Sequence, residues 1–316
     1  MSMPRMHSIA FYNLENLFDF EDAGSQGDKD FTPNGYYRWD QKRYLKKISN
    51  LARVISCIGD GKDVMPPAFI GVCEVGSEKC LVDMKKTHHL AALDYDHVYF
   101  SSPDRRGMAV GVLYRRQAFR LLESKAFQVP LESQEIPDTT RDILYVRGEL
   151  YGVPLHILVN HWPSRMDGTK ATRDKRKKAG DVARGIITQI YEEDPGSNIL
   201  LLGDFNDHPN SSSLRQNFSG DFVNLMTPFQ EKKKGSVKFK GRWLAFDQIL
   251  LNSNLLSESN LRFGKAVIFD PPFLTQQSGR FRGTPKRTFI GRNFQNGYSD
   301  HFPVFVPFET VNRDSD

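Results

Sequence analysis

Six stretches of this chain set an acid, an amide or a histidine at the end of an apolar run. Asn13 follows Ile9–Tyr12, Glu74 follows Phe69–Cys73, and Asn160 and His161 follow Leu155–Val159. Asp204 and Asn206 follow Ile199–Leu202; Ser299, Asp300 and His301 precede a run that includes Val304–Phe308; and Asp247 lies inside LAFDQILL (244–251). One such residue is ordinary, and GDFND (203–207) taken alone fits a strand closed by an Asx turn. Six cases point to strand ends converging on one pocket, because strands of a common core can aim their terminal groups at one place on a rigid frame.

A pocket of Asp, Glu and Asn oxygens selects a hard cation, Mg²⁺ or Mn²⁺, over zinc. Magnesium uses one or two carboxylates and completes its shell with water and substrate phosphate, so the surplus of Asp and His implies proton handling and phosphate contact. Asp247, in an apolar strand, needs a partner to offset burial, and a nearby histidine is the natural one. Metal-assisted phosphoester hydrolysis is the chemistry these residue types imply.

The elements that must position them follow from the same runs. Ile9–Tyr12, Phe69–Cys73, Ile199–Leu202, 244–251 and 301–308 read as central strands, and 143–162 as a hairpin turning at Gly152. Leu45, Ile48, Leu51 and Ile55 recur at helical spacing between Asp40, a fitting N-cap, and Gly59, a fitting stop. Further helices are expected around 78–90 and after His161, with Val182, Ile186 and Ile190 on one face. Strands outnumber helices, which predicts two packed sheets with helices outside them, in one domain over 1–316. Strand alternation would turn Cys73, beside Glu74, away from the pocket and into the core.

With 39% hydrophobic residues the 316-residue chain can build a sizeable core. Cys57, Cys73 and Cys80 have no zinc-like spacing and fit reduced thiols. No run approaches the ~18 apolar residues of a membrane helix, and MSMPRMHS lacks the apolar segment of a signal peptide, which favours the cytoplasm unless a signal has been removed. Nothing calls for a protein partner, and a monomer is expected.

The stretches FYNLENLFD (11–19), GVCEV (71–75), NHWPSR (160–165), GDFND (203–207), FDQILL (246–251) and YSDHFPV (298–304) together resemble the endonuclease/exonuclease/phosphatase superfamily of Mg²⁺-dependent phosphoesterases, and FYNLENLF its bacterial branch. The resemblance implies an α/β fold, a four-layer α/β/β/α sandwich of two mainly antiparallel sheets with the site at one edge. It implies Glu74 as principal metal ligand with Asn13 and Asp300 beside it, and Asp204 orienting or deprotonating the attacking water. It gives Asn206 the phosphate or metal-bound oxygen, and His301, its ring fixed by Asp247, a non-bridging phosphate oxygen. His161 would donate to the phosphate or protonate the leaving oxygen. Deoxyribonucleases of the superfamily pair this histidine with a Glu; 101–115 offers none, and Asp104 is the stand-in.

Three segments concentrate positive charge: 165–178 with seven Lys/Arg, 231–242 with six and 280–292 with five. With Phe239, Trp243, Phe281 and Phe289 interleaved, they read either as a surface for DNA or RNA or as solvated basic faces with the aromatics turned inward. Arg165 is the best placed arginine for bidentate phosphate binding. A nuclease or phosphodiesterase is favoured. An inositol-phosphate or sugar phosphatase would share every catalytic residue, and a sphingomyelinase lacks an evident aromatic membrane loop. A non-catalytic binding protein would be expected to show broken motifs. A two-carboxylate glycosidase would work in EDTA.

Overall fold

Alternation along the first strand sorts its side chains into two layers. In the computed structural model, which describes residues 6–21, 28–61, 63–131, 138–165, 168, 170, 172–257 and 259–311, Ala10 and Tyr12 face a helix layer while Ile9 and Phe11 face a second sheet. The first sheet is begun by β1 (His7–Leu17), β2 (Phe69–Val75), β3 (Tyr95–Tyr99) and β4 (Ala109–Arg115). The second is built from β5 (Phe119–Phe127), β6 (Ile143–Leu150), β7 (Val153–His161), β8 (Ile199–Asp204), β9 (Phe222–Asn224) and β10 (Asp247–Asn252). The chain then returns to the first sheet with β11 (Leu261–Phe263), β12 (Val267–Ile268) and β13 (Val304–Thr310).

The orders are β11-β13-β1-β2-β4-β3, with β12 on β13, and β9-β10-β8-β7-β6-β5. Each sheet has one parallel pair, β1 with β2 and β7 with β8; the other pairs are antiparallel. The sheets are therefore mixed, and mainly antiparallel as expected.

Three apolar clusters mark four layers. Helices α1 (Gln41–Cys57) and α2 (Glu78–Lys85) cover the first sheet, with Leu51, Ile55 and Leu81 packed near Ile70 and Leu113. Phe11, Phe69 and Val112 meet Val159, Leu200 and Leu202 between the sheets. Helices α3 (Arg173–Glu193) and α4 (Ser212–Phe218) cover the second, with Ile187 and Leu214 against Leu158 and Leu201. Asp40 caps α1 by accepting the Arg43 N–H at 2.9 Å. The hairpin turns at Tyr151 and Gly152, both left-handed (φ 49° and 81°). Gly71 permits the close approach of the sheets, since a Cβ there would meet Leu202 Cδ1 at 2.3 Å.

This register gathers the polar strand ends. Asn13 pairs with Cys73 across β1 and β2, while Asp204 stands opposite His161 on one side and Asp247 on the other. Among the described residues, no helix is long and apolar enough to cross a membrane.

Candidate active site

Asp204 lies at the centre of a chain of buried contacts. Its Oδ2 accepts from Asn13 Nδ2 at 3.1 Å and lies 3.9 Å from His301 Nε2, and its Oδ1 accepts the Asn206 N–H at 2.9 Å. The same Asn13 nitrogen donates to Glu74 Oε1 at 3.1 Å, so one amide clamps two carboxylates from different sheets. Glu74 Oε2 accepts the Asn16 N–H at 2.7 Å, and Asn13 Oδ1 the Glu15 N–H at 2.9 Å. His301 Nδ1 meets Asp247 Oδ2 at 2.7 Å; Ser236 Oγ donates to that same oxygen. Ser299 Oγ donates to the Asn13 carbonyl at 2.7 Å and accepts the His301 N–H at 3.1 Å, fastening the SDH turn to β1.

Backbone conformation contributes to this arrangement. Glu15, Asn16, Glu74 and Asn206 all adopt left-handed φ, between 47° and 62°, a conformation that costs non-glycine residues energy and recurs at functional sites. At Glu74 it coincides with a register shift between Cys73 and Val75. Cys73, on the face it shares with Phe69 and Gly71, is buried in the core between the sheets as expected, and the bulge after it redirects Glu74; the thiol nevertheless adjoins the pocket, its Sγ lying with a His161 nitrogen and an Asp204 oxygen, all within 4.8 Å of one another. Burial pushes the thiol well above its ordinary value, so it remains protonated.

The electrostatics separate the roles. Burial opposes ionisation of Glu74, but the hydrogen bonds from the Asn13 amide and the Asn16 N–H hold its carboxyl below the ordinary value. Burial and the charge of Arg141 push His161 down to about 3, so its imidazole is neutral at physiological pH and the two hydrogen bonds hold the Glu74 carboxylate. Burial and the Asp247 charge raise Asp204 to about 7. For His301 burial favours the neutral ring, yet Asp247 and Asp204 hold it well above its ordinary value.

A hard cation suits this centre. Two carboxylates meet around Asn13, a third anchors His301, and Asp204 is difficult to ionise for want of positive charge. Bound there, a divalent cation would be held by Glu74 with Asn13 beside it.

Three expected residues have other partners. Asp300 pairs with Arg287 Nη2 at 3.1 Å, so its carboxylate is shared with that cation. Arg165 donates to the Asn206 carbonyl at 2.8 Å and pairs with Asp207, so its guanidinium braces the GDFND turn, an occupation that leaves less of it for phosphate. Asp104 accepts from the Arg106 N–H at 3.0 Å and faces Arg141 Nε at 3.2 Å, whereas His161 Nδ1 has no partner among the described residues. Asn206 Nδ2 donates to the Trp162 carbonyl at 3.0 Å, leaving its second N–H for a ligand. Sequence reading missed Ser236, whose polar neighbourhood gives no local signal, and Arg141, which reaches His161 only through the β6–β7 pairing. It quoted Ser299 without giving it a role.

The basic segments are divided. Arg176 is buried and bonds Asp207 at 3.1 Å, Trp243 stacks on Phe302, and Phe289 belongs to the core. Phe281 is exposed, and no ion pair among the described residues engages Arg280, Arg282 or Lys286. Residues 166–167, 169 and 171 of the first segment lie outside the described residues.

Fold and site together define a phosphoester hydrolase, and residues 8–310 match the profile of the endonuclease/exonuclease/phosphatase family, to which the chain belongs. Among solved structures it is similar to humanized D. rerio TDP2 carrying 14 mutations (16% identity, TM-score 0.61, covering 97% of this chain and 100% of that one). D. rerio TDP2 complexed with single strand DNA product is similar too (16%, 0.59, 97% and 100%). So is the Bacteroides thetaiotaomicron mannosyl-6-phosphatase Bt3783 (16%, 0.58, 96% and 99%). At these identities the likeness shows the shared fold. No curated protein matches the sequence.

Proposed function

We propose that this chain is a divalent-cation-dependent phosphodiesterase that cleaves nucleic acid. The observation that carries the reading is Asp204, clamped to Glu74 through Asn13 and facing the Asp247-anchored His301. Asp204 Oδ2 takes the proton of the attacking water, a role suited to a carboxylate raised towards neutrality. His301, with Nδ1 held by Asp247, presents Nε2–H to a non-bridging phosphate oxygen, and its positive charge stabilises the charge that develops there. His161, whose ring burial holds in the neutral form, donates a hydrogen bond to the phosphate. The bound cation would polarise the phosphoryl oxygens. Nucleic acid is favoured by the unpaired cations of 280–292 leading towards Asp300 and His301, and by the strand held by D. rerio TDP2.

The test is hydrolysis by purified protein with Mg²⁺, with Mn²⁺ and in EDTA. Plasmid DNA, single-stranded DNA, RNA, abasic-site duplex, phosphoinositides, mannose 6-phosphate and sphingomyelin form the panel, with Asp204→Ala as control. Metal-dependent cleavage of a nucleic acid, lost in the variant, is expected. Phosphate release from small monoesters alone would replace the nuclease reading with a phosphatase, and full activity in EDTA would remove the cation.

A further inference from the structure

Beside the carboxylate–histidine centre opens a cavity of about 180 Å³ whose lining combines four rings, Phe31, Tyr36, Tyr37 and Phe289, with polar groups. It touches the catalytic centre at two points. Asn16, in its lining, donates its backbone N–H to Glu74, and Arg287, also in the lining, pairs with Asp300 next to His301. The rings are held in place before any ligand arrives. Tyr37 lies 4.5 Å from Phe31 and 4.6 Å from Phe289 between centroids, Tyr36 meets Tyr37 edge-on at 5.0 Å, and the Arg292 guanidinium lies 4.3 Å from the Tyr36 ring centre. Phe31 and Phe289 are buried, whereas Tyr36 is 43% exposed.

The ionic groups in the lining are already engaged with one another. Glu15 accepts from Arg287 Nε at 2.9 Å and from the Thr288 N–H at 2.7 Å, while Arg287 also bonds Asp300. An incoming phosphate would have to break these pairs, which leaves the rings and the remaining polar lining for recognition. Its volume suits one ring system. The segment supplying Arg287, Phe289 and Gly291 to the lining also carries Arg280, Arg282 and Lys286, which no ion pair engages among the described residues, and these favour a ring borne on a polyanion.

We propose that this cavity receives the base next to the scissile phosphate of an unpaired nucleic-acid strand. The inference rests on the nuclease reading and narrows its substrate to single strands. A base enters a one-ring cavity only when it is free of its partner, and every base has a π face to stack, so sequence preference is weak.

The test measures equilibrium binding of a fluorescent oligo-dT in EDTA, together with its Mg²⁺-dependent cleavage. The probes are wild type, Tyr36→Ala and Tyr36→Phe, with oligonucleotides carrying one abasic residue at successive positions. Alanine substitution at a base-stacking ring typically weakens binding roughly 5- to 150-fold. Tyr36→Ala is expected to show a loss in that range, Tyr36→Phe to restore affinity, and one abasic position next to the cleavage site to reproduce the loss without adding to it. The abasic scan needs no variant to fold. Cleavage of oligo-dT with a flat scan and unchanged Tyr36→Ala affinity would overturn the cavity assignment and leave the nuclease reading standing. Binding that depends on Tyr36 and one base, without cleavage, would uphold the cavity and fail the nuclease. Neither binding nor cleavage would overturn both; competition by mannose 6-phosphate that Tyr36→Ala removes while oligo-dT affinity stays unchanged would overturn the cavity assignment alone.

Discussion

Because Asp204 Oδ2 lies within 3.1 Å of Asn13 Nδ2 and 3.9 Å of His301 Nε2, exchanging its carboxylate for an amide keeps the shape and removes the base. Asp204→Asn, and His301→Ala in turn, are each expected to lower kcat by about 10²–10³, the usual cost of losing one preorganised group. Wild-type turnover in either folded variant would sink the mechanism. Asp142 calls for the opposite experiment. It precedes β6, Oδ1 is buried without a partner among the described residues, and burial raises its carboxyl to about 6. An acid whose folded value is raised binds its proton more tightly when folded. The penalty is therefore absent below about pH 4, the ordinary carboxylate value, and complete above pH 6. Asp142→Asn should raise stability above pH 7 by roughly 2–3 kcal/mol and change nothing near pH 3.5. Thermal melts of both proteins across that range decide it, and a uniform shift at all pH values would point to packing instead.

At the scale of elements, Asp96 fastens α2 to the edge of the first sheet. It lies on β3, accepts from Lys85 Nζ, the last residue of α2, at 3.0 Å, and pairs with Arg116 just beyond β4 at 3.0 Å. Burial alone would raise its carboxyl, but Lys85, the His97 N–H and Arg116 bring it down to about 2. A depressed acid stabilises the fold above about pH 4 and loses that contribution as pH falls through 2. Asp96→Asn is expected to cost about 1–2 kcal/mol at pH 7 after solvent screening, with the two proteins converging as pH approaches 2, read from urea midpoints. The central elements were legible in the sequence because they are continuously buried: Ile199–Leu202 and Phe69–Cys73 are apolar runs with no exposed residue. β5 was not, because as an edge strand it exposes much of its length and shows no sustained apolar pattern. The pocket residues were legible as strand ends. Their individual contacts depended on two features with no local signature, the bulge that redirects Glu74 and the pairing that brings β6 beside His161. Arg165 was legible as an arginine near the site, but its engagement by Asp207 comes from a turn forty residues on.

Across the whole molecule, the net charge of +5 overstates what is free to attract a polyanion in some places and understates it in others. Arg165 and Arg176 share Asp207, and Arg287 sits between Glu15 and Asp300, so these cations hold the site together and release few counterions on binding. Arg280, Arg282 and Lys286 have no such partner among the described residues, and the lysines at 232–234 lie in the segment whose Ser236 meets Asp247. The two groups therefore predict different salt behaviour. Each phosphate neutralised on a single strand contributes a slope of about −0.7 to log K against log salt, so the Arg280→Ala, Arg282→Ala double variant should flatten that slope by about 1.4. Lys79→Ala, on α2 and already paired with Asp83, should leave it unchanged. Oligonucleotide binding titrated from low to physiological salt provides the measurement. An unchanged slope in the double variant would place the electrostatic contact elsewhere on the surface, whereas a flattened one would mean that the same segment supplies both long-range attraction and a wall of the aromatic cavity.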